Sequence, residues 1–410
     1  MELKVFTGTL SNGLRVVVNE DDENTMVAAA LLYEAGSRTE RKGITGISHI
    51  LEHMMYKGTE KIGPEEYSKR IQRLGGYDNA YTSKDYTVYY VYLPPGTLGE
   101  FLSMEGDRMV NLKLRDFKEE MEVIKDERRY SSVDNPIEYF MEEFWWRLFK
   151  VHPYRFPVIG LEDDLNRIKE ADVIEYYQKF YTPANAILAV AGKVKFEEVM
   201  ELADKYFSNI NKNSKPELSV PLEPEQRQKV EFEVKRKNST PVIAIGFKIV
   251  PFGDPLIPVF DVLSEMLGGG KWGILVRELV YDKNVFASLR CETSYLKDHG
   301  VFVLVGVPYP GVDIKNAESI LENKFYDALH QLGEDDLNTA KNKLLTEYYF
   351  DLESVRDLVF DLAEFELMGK IEDITKYPES LKRVTLEDVR KIFSQYFGVE
   401  KETVGVLNGE

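Results

Sequence analysis

The sequence contains little cysteine, little histidine and no long apolar run. Cys291 is the only cysteine in 410 residues, so a disulfide within the chain is excluded. We therefore expect a reducing, cytoplasmic setting. The longest apolar stretch covers residues 26–33 and is far too short for a membrane-spanning helix. Because the first residues alternate like a strand instead of forming a basic segment and an apolar core, we expect no signal peptide.

Positive charge is also in deficit. The chain has 52 Lys and Arg residues against 70 Asp and Glu residues, which gives a net charge of −18. Proteins that bind nucleic acid present a basic face to the phosphates, so this balance argues against nucleic acid as the main partner. The remaining composition is typical of a globular protein, and the length exceeds one ordinary core.

A segment rich in proline and asparagine, residues 209–228, divides the chain into two parts of similar length. We predict a zinc-bearing catalytic domain at 1–208 and a homologous domain without the metal motif at 229–410, with 209–228 as the linker.

The two parts repeat the same patterns. Residues 172–192 indicate a helix followed by a β-rich run that ends in glycine, and so do residues 388–409. The segment Leu51–Met54 likewise has a counterpart in Leu263–Met266. Such self-similarity is typical of a duplication. We predict an α+β fold of two homologous domains, each a mostly antiparallel sheet packed with amphipathic helices.

Apolar residues between Thr45 and Tyr56 recur with helical spacing and predict an amphipathic helix. At about 100° per residue, His49, Glu52 and His53 lie on a second face, roughly opposite the apolar one. His49 and His53 are one turn apart, so both imidazoles can bind one ion, and zinc prefers such nitrogen ligands. Glu52 can reach a water molecule on that ion without binding the metal, as a general base would. The alternative is a pair of solvated histidines beside a carboxylate, but five histidines in the whole chain seldom produce this pattern by chance.

The second half lacks these residue types. Asp261, Ser264 and Glu265 stand where the first half has His49, Glu52 and His53. We therefore predict that the two domains are duplicates and that only the first carries a catalytic site.

A third metal ligand must come from elsewhere in the first half. The acid-rich segment 116–130 predicts a helix on which Glu120 and Glu127 share a face, with Val123 and Ile124 packing between them. Spacing alone does not choose between the two glutamates. It also leaves open the other acids of the segment: Glu119, Glu122 and Asp126.

The segment from His49 to Thr59, with its His-x-x-Glu-His core and Lys57-Gly58-Thr59, resembles the inverted zinc motif of the pitrilysin/insulinase (M16) metallopeptidases, the inverzincins. The chain is most similar to the half-length branch of that family related to the mitochondrial processing peptidase. The similarity continues through further markers: Gly75-Gly76, Asn79-Ala80, Thr82, Glu120 to Glu127, His152 to Gly160, and Tyr181 to Gly192.

The resemblance implies roles that the spacing leaves open. Glu127 would be the third zinc ligand beside His49 and His53, and Glu120 would support the ligands from outside the coordination sphere. The family binds peptides as an added strand at a sheet edge, so Asn79 and Ala80 would contact the substrate backbone. The alternative for these two residues is an ordinary strand after a turn.

One departure from the family pattern concerns the second half. Family members often carry an arginine and a tyrosine seven residues apart there, which assist substrate binding and the transition state. Here the corresponding residues are Val280 and Ala287. In the resembling half-length proteins, two chains face each other as a clamshell. We therefore expect a homo- or heterodimer, in which a homologous chain could supply the missing pair.

The leading hypothesis is a zinc-dependent endopeptidase that hydrolyses extended or unfolded peptides, with Glu52 as the general base. The first alternative is a non-catalytic structural or assembly subunit of the same fold. Against it, such subunits usually have a degraded metal motif, whereas this motif is complete. A second alternative is a metal hydrolase for a substrate other than a peptide, which the motif alone does not reject.

Overall fold

A computed structural model describes residues 3–211, 214–328 and 330–409, which form two compact units. Unit 1 consists of the described parts of Met1–Arg128, His152–Pro221 and Asp351–Ile374. Unit 2 consists of the described parts of Arg129–Val151, Leu222–Phe350 and Thr375–Glu410. Each unit thus combines most of one half of the chain with a short segment of the other half.

This exchange of segments differs from a simple division of the chain at its middle. The domain boundaries at 208 and 229 stay a prediction. Residues 212 and 213 of the predicted linker lie outside the described residues.

The described residues of unit 1 form a six-stranded sheet. Its strands are β1 Val5–Thr9, β2 Arg15–Glu20, β3 Val27–Tyr33, β4 Tyr77–Thr82, β5 Thr87–Leu93 and β6 Ala186–Gly192. Their order is β1-β2-β6-β3-β5-β4. Neighbouring strands are antiparallel except for β2 and β6, which are parallel. Strands β3 and β6 are buried along their whole length, as expected for central strands covered on both faces.

The described residues of unit 2 form a five-stranded sheet. Its strands are β7 Val230–Lys235, β8 Val242–Ile249, β9 Phe286–Tyr295, β10 Gly300–Pro308 and β11 Thr403–Asn408. Their order is β7-β11-β8-β10-β9, with one parallel pair, β7 and β11. When β1 is left out, the two sheets have the same order and the same parallel pair. The predicted α+β fold with two mostly antiparallel sheets is confirmed.

Helices pack on both sheets. In chain order the described helices are α1 Ile47–Met55, α2 Glu66–Arg73, α3 Leu98–Asn111, α4 Phe117–Arg128, α5 Pro136–Leu148, α6 Glu162–Leu165, α7 Glu170–Phe180, α8 Phe196–Phe207, α9 Ile257–Gly268, α10 Ile274–Val276, α11 Ile314–Ala328, α12 Glu334–Glu353, α13 Val355–Met368, α14 Ile371–Arg383 and α15 Leu386–Tyr396. Helix α5 packs on the sheet of unit 2 and α13 on the sheet of unit 1. Among the described residues, no helix is long and apolar enough to cross a membrane.

The start of helix α1 is fixed by a glycine and a buried carboxylate. Gly46 precedes α1 with a φ of +88°, and a Cβ atom there would lie 2.5 Å from the carbonyl oxygen of Ile159. Only glycine fits this position without strain. Glu40 accepts hydrogen bonds from the backbone N–H groups of Gly46 and Ser48 at 2.7 and 2.9 Å, where the helix end favours negative charge. Helix α1 consequently begins at Ile47, two residues later than predicted.

A buried cation supports the other end of α1. Arg108 of α3 has no exposed surface and pairs with the equally buried Glu105. Its guanidinium lies 3.9 Å from the ring centroid of Tyr67 and 4.6 Å from that of Tyr89. It also donates to the carbonyl oxygen of Met55, the last residue of α1, at 3.4 Å. Because a buried charge is tolerated only when it is paired, this network ties α3 to the end of α1.

We predict that Arg108→Met lowers the free energy of unfolding by about 3–5 kcal/mol, because the Glu105 carboxylate would remain buried without its cation. Chemical denaturation of the metal-free protein, followed by circular dichroism, measures this. Lys69→Met is the matched control, since it removes an exposed ion pair with Glu65 and should leave the unfolding midpoint essentially unchanged. Equal midpoints for Arg108→Met and the unmodified chain would show that the buried pair does not stabilise unit 1.

Candidate metal centre

Helix α1 separates an apolar face from a polar one, as the sequence predicted. Leu51 and Met54 are fully buried in the core of unit 1. On the other side, the side chains of His49 and His53 keep 12% and 22% of their surface exposed, and Glu52 is also partly buried. The two imidazoles therefore reach the surface of unit 1 next to each other, with ring centroids 4.6 Å apart.

Helix α4 brings acidic side chains to these histidines. One carboxylate oxygen of Glu127, Oε1, lies 3.7 Å from Nε2 of His49, and the other, Oε2, lies 3.4 Å from Nε2 of His53. Glu120 instead places Oε1 2.8 Å from Nδ1 of His53. The sequence left the choice among the acids of α4 open, and the fold brings Glu127 alone of the two predicted glutamates to both histidines.

The contact with Glu120 fixes the hydrogen of the His53 ring. A carboxylate can only accept a hydrogen bond, so Nδ1 carries the hydrogen and donates it, and Nε2 faces Glu127. Burial alone would lower the pKa of His53, but hydrogen bonds with Glu127 and Glu120 raise it overall. The hydrogen bond with His53 in turn lowers the pKa of Glu127. A positive charge is therefore favoured between His53 and Glu127.

His49 behaves differently from His53. Burial, with the nearby charge of His53 as a second cause, lowers the pKa of His49 to about 4. At neutral pH its imidazole is therefore uncharged, and Nε2 can offer a lone pair. Its other nitrogen, Nδ1, is buried and has no hydrogen-bond partner among the described residues.

These donors fit a tetrahedral metal ion. His49, His53 and Glu127 are the group of metal-type ligands that the described residues bring together, with donor atoms all within 4.8 Å of one another. For zinc–ligand bonds of about 2.0–2.1 Å, tetrahedral geometry separates neighbouring ligand atoms by roughly 3.3 Å. Glu127 approaches His49 at 3.7 Å through Oε1 and His53 at 3.4 Å through Oε2, so its carboxylate lies beside both imidazoles at about this spacing. Two imidazole nitrogens and one carboxylate oxygen are also a donor set that catalytic zinc sites use, with the fourth position open.

Glu120 lies between His53 and a lysine. Its second oxygen is 2.5 Å from Nζ of Lys57. Burial would raise the pKa of Glu120, but the contacts with Lys57 and His53 lower it overall, so the carboxylate stays ionised. An ionised partner of this kind orients the imidazole and increases its basicity.

Glu52 is held by a residue of the neighbouring sheet. The hydroxyl group of Thr82, the last residue of β4, donates to Oε2 of Glu52 at 2.6 Å. Burial raises the pKa of Glu52, and the Thr82 hydroxyl opposes this rise. A carboxylate with a raised pKa is a better proton acceptor near neutral pH.

Asn79 and Ala80 lie in β4, at the edge of the sheet of unit 1. Among the described strands, β4 pairs with β5 on one side, and its other side is not paired. Such an edge can accept an extended peptide as an additional strand. The placement of both residues agrees with the role predicted for them, and their contact with a substrate stays a prediction.

In unit 2 the corresponding positions are filled by other interactions. Asp261 of α9 is partly buried and accepts hydrogen bonds from the hydroxyl groups of Tyr295 and Tyr377, both at 2.6 Å. Glu265, which corresponds to His53, forms an ion pair with Lys343 at 2.7 Å. An ammonium group and two phenols thus satisfy these carboxylates.

Comparison with known proteins gives the family. Residues 15–147 match the family described as "Insulinase (Peptidase family M16)", and residues 167–344 match the "Peptidase M16 inactive domain". This chain belongs to peptidase family M16. The His49, Glu52 and His53 motif of the M16 chain lies in the first matched region, and its Asp261 and Glu265 lie in the second.

Relatives of this M16 chain extend over almost its full length. It is 29% identical to "Zinc protease PqqE" of Helicobacter pylori, over 97% of this chain and 91% of the relative. It is 24% identical to "Probable mitochondrial-processing peptidase subunit beta, mitochondrial" of Arabidopsis thaliana, over 87% of this chain and 69% of the relative. A solved structure described as a protease from Helicobacter pylori superposes with a TM-score of 0.94, at 27% identity, and each chain is covered completely.

Three features of the M16 site were not predicted from its sequence. Val123, expected to pack between Glu120 and Glu127, is 52% exposed, whereas Ile124 is buried as expected. The contacts of Lys57 with Glu120 and of Thr82 with Glu52 were also not foreseen. The two contacts join residues that are far apart in the chain, so no local sequence pattern predicts them.

Proposed function

We propose that this chain is a zinc-dependent endopeptidase that hydrolyses extended or unfolded peptides. One observation carries this proposal: a His-x-x-Glu-His motif on a single helix, with the Glu127 carboxylate 3.4 and 3.7 Å from the two imidazoles. The membership of the chain in a peptidase family and its likeness to a zinc protease support it.

In the proposed reaction, Nε2 of His49, Nε2 of His53 and a carboxylate oxygen of Glu127 would hold the metal. Zinc bound there would supply a Lewis acid that polarises the scissile carbonyl group and lowers the pKa of a water molecule to about 7. Glu120 keeps the hydrogen of His53 on Nδ1, and so keeps Nε2 available as a ligand.

Glu52 carries the proton in this mechanism. Its carboxylate accepts a proton from the attacking water and then transfers it to the nitrogen of the leaving amine. Its position one residue before His53 on α1 keeps it beside the ligands. The substrate would lie along the open edge of β4, where Asn79 and Ala80 would contact its backbone.

A partner chain is also part of the proposal. Val280 and Ala287 occupy the places where family members often carry an arginine and a tyrosine. We propose a dimer, either of two identical chains or with a homologous chain that brings the missing pair. The likeness to a protein described as a subunit of a processing peptidase supports a two-chain assembly.

A non-catalytic subunit of the same fold is the second candidate. The absence of the Arg/Tyr pair from this sequence favours it, and so does the match of residues 167–344 to a domain described as inactive. The complete metal-ligand set of unit 1 favours the peptidase. Activity measurements on defined variants separate the two candidates.

We predict that Glu127→Gln abolishes tight zinc binding and that Glu120→Gln weakens it by about 10–100-fold, because the second variant loses only the group that orients His53. Zinc titration with a competing chelator, with elemental analysis of the dialysed protein, measures both effects. Glu122→Gln is the matched control on an exposed face of α4. Unchanged zinc affinity in Glu127→Gln would exclude the proposed ligand set.

We predict that Glu52→Gln keeps zinc and loses peptidase activity by about 10²–10⁴-fold, since the amide cannot accept the proton of the water. Cleavage of a denatured, fluorescently labelled protein by the purified native assembly provides the assay. The zinc content of each preparation is measured in parallel. Full turnover by a zinc-loaded Glu52→Gln variant would contradict the role of Glu52. Lack of activity in the native assembly itself would favour the subunit hypothesis.

We predict that the native assembly cleaves peptides at least about tenfold faster than this chain purified alone, if a homologous chain supplies the Arg/Tyr pair. Size-exclusion chromatography with identification of each co-purifying chain, followed by reconstitution, tests this. A chain that is fully active by itself as a homodimer would refute the heterodimer and leave the metal site unaffected.

A further inference from the structure

We propose that Thr82 is the positioning residue of Glu52. The hydroxyl group of Thr82 occupies Oε2 of the Glu52 carboxylate by a hydrogen bond, so Oε1 is the oxygen that receives the proton from water. This inference rests on the proposed peptidase function. It adds a residue of the edge strand to the machinery that α1 and α4 provide.

The Thr82 hydroxyl links β4 to the polar face of α1. It lies 2.6 Å from Oε2 of Glu52, and both side chains are partly buried. Short hydrogen bonds to an ionised carboxylate are stronger than neutral ones, and screening by water is reduced here. Among the described residues, Thr82 is the hydrogen-bond partner of the Glu52 carboxylate, through its hydroxyl and also through its backbone, so Thr82 orients this carboxylate.

The direction of the hydrogen bond follows from the neighbouring strand. Thr87 of β5 is the register partner of Thr82, and their hydroxyl oxygens are 3.3 Å apart. The hydroxyl of Thr87 is fully buried and donates to the carbonyl oxygen of Ala35 at 2.7 Å, so its single hydrogen is already used. Thr82 therefore has one hydrogen and two neighbouring acceptors, and the shorter contact is the one with Glu52.

The end of β4 that carries Thr82 is anchored within unit 1. After Thr82 the chain turns into β5, and Nζ of Lys84 in this turn donates to the carbonyl oxygen of Tyr154 at 2.7 Å. The hydroxyl of Tyr154 donates to Asp85 at 2.6 Å, and the hydroxyl of Tyr86 donates to Glu364 of α13. Since the turn is tied down at three residues, Thr82 presents its hydroxyl to Glu52 from a fixed position.

This arrangement connects peptide binding with proton transfer. A peptide added along β4 pairs with the strand whose last residue orients Glu52. The same strand therefore positions both the scissile bond and the general base. With Oε2 occupied by the Thr82 hydroxyl, Oε1 takes the proton from water and later delivers it to the leaving nitrogen. The inference predicts an effect on kcat rather than on peptide affinity, because Thr82 acts through Glu52.

The test compares Thr82→Val, which keeps the shape of the side chain and removes the hydroxyl, with Thr82→Ser, which keeps the hydroxyl. In the native assembly, Thr82→Val should lower kcat by about tenfold to a hundredfold with KM and zinc content unchanged, and Thr82→Ser should stay within about threefold of the unmodified enzyme. Ser68→Ala is the matched control. The hydroxyl of Ser68 in α2 donates to Asp78 of β4 at 2.6 Å and does not contact Glu52. Equal losses in the Val and Ser variants, or a change in KM alone, would overturn the inference.

A second measurement does not depend on activity. Thermal unfolding of the metal-free protein is compared for Thr82→Val, Glu52→Ala and the double variant. If the hydrogen bond exists, the shift of the midpoint in the double variant should be smaller than the sum of the two single shifts. Additive shifts would overturn the inference even in an active enzyme. Coupled shifts in a chain without peptidase activity would leave the contact intact and refute only the proposed function.

Discussion

The imidazole of His53 is held between two carboxylates of a single helix, and the geometry of the candidate site depends on this contact. Glu120 and Glu127 are seven residues apart on α4, close to two helical turns, so both face α1. Glu120 accepts the hydrogen of Nδ1, and Nε2 is thereby directed to Glu127. Lys57 offsets the charge of Glu120, and the Glu127 carboxylate favours a positive charge on its side of the His53 ring.

The site is precise because the helix that carries it is fixed at both ends. At the start, Gly46 and the buried Glu40 set where α1 begins. At the end, Arg108 donates to the last carbonyl group of the helix from a position that is itself fully buried. Between these points the apolar face of α1 is buried, at about 1.5–3 kcal/mol for each large side chain. The polar face can therefore keep its histidines in the orientation that α4 requires.

The comparison of the two units shows that the fold does not by itself provide the chemistry. Both sheets have the same strand order and the same parallel pair, and α9 occupies the place of α1 in the repeat. Yet Asp261 is bonded by two tyrosines and Glu265 by Lys343. These side chains satisfy each other within unit 2. A small number of substitutions on one helix, together with a lysine on α12, separates a potential metal centre from a structural ion pair.

The sequence by itself determined the duplication, the α+β class, the polar face of α1 and the choice of His49, Glu52 and His53 as candidate site residues. The duplication follows from the self-similarity of the two halves, and the polar face of α1 follows from local periodicity, because residues one helical turn apart must lie side by side. It did not determine which acid of α4 faces the histidines, since Glu120 and Glu127 share a face and only the packing of α4 on α1 distinguishes them. The tertiary structure likewise decided three further features. These are the hydrogen bond from Thr82 to Glu52, the contact of Arg108 with the end of α1, and the exchange of segments between the units. Each joins residues distant in the chain, and such contacts leave no periodic signal in the sequence.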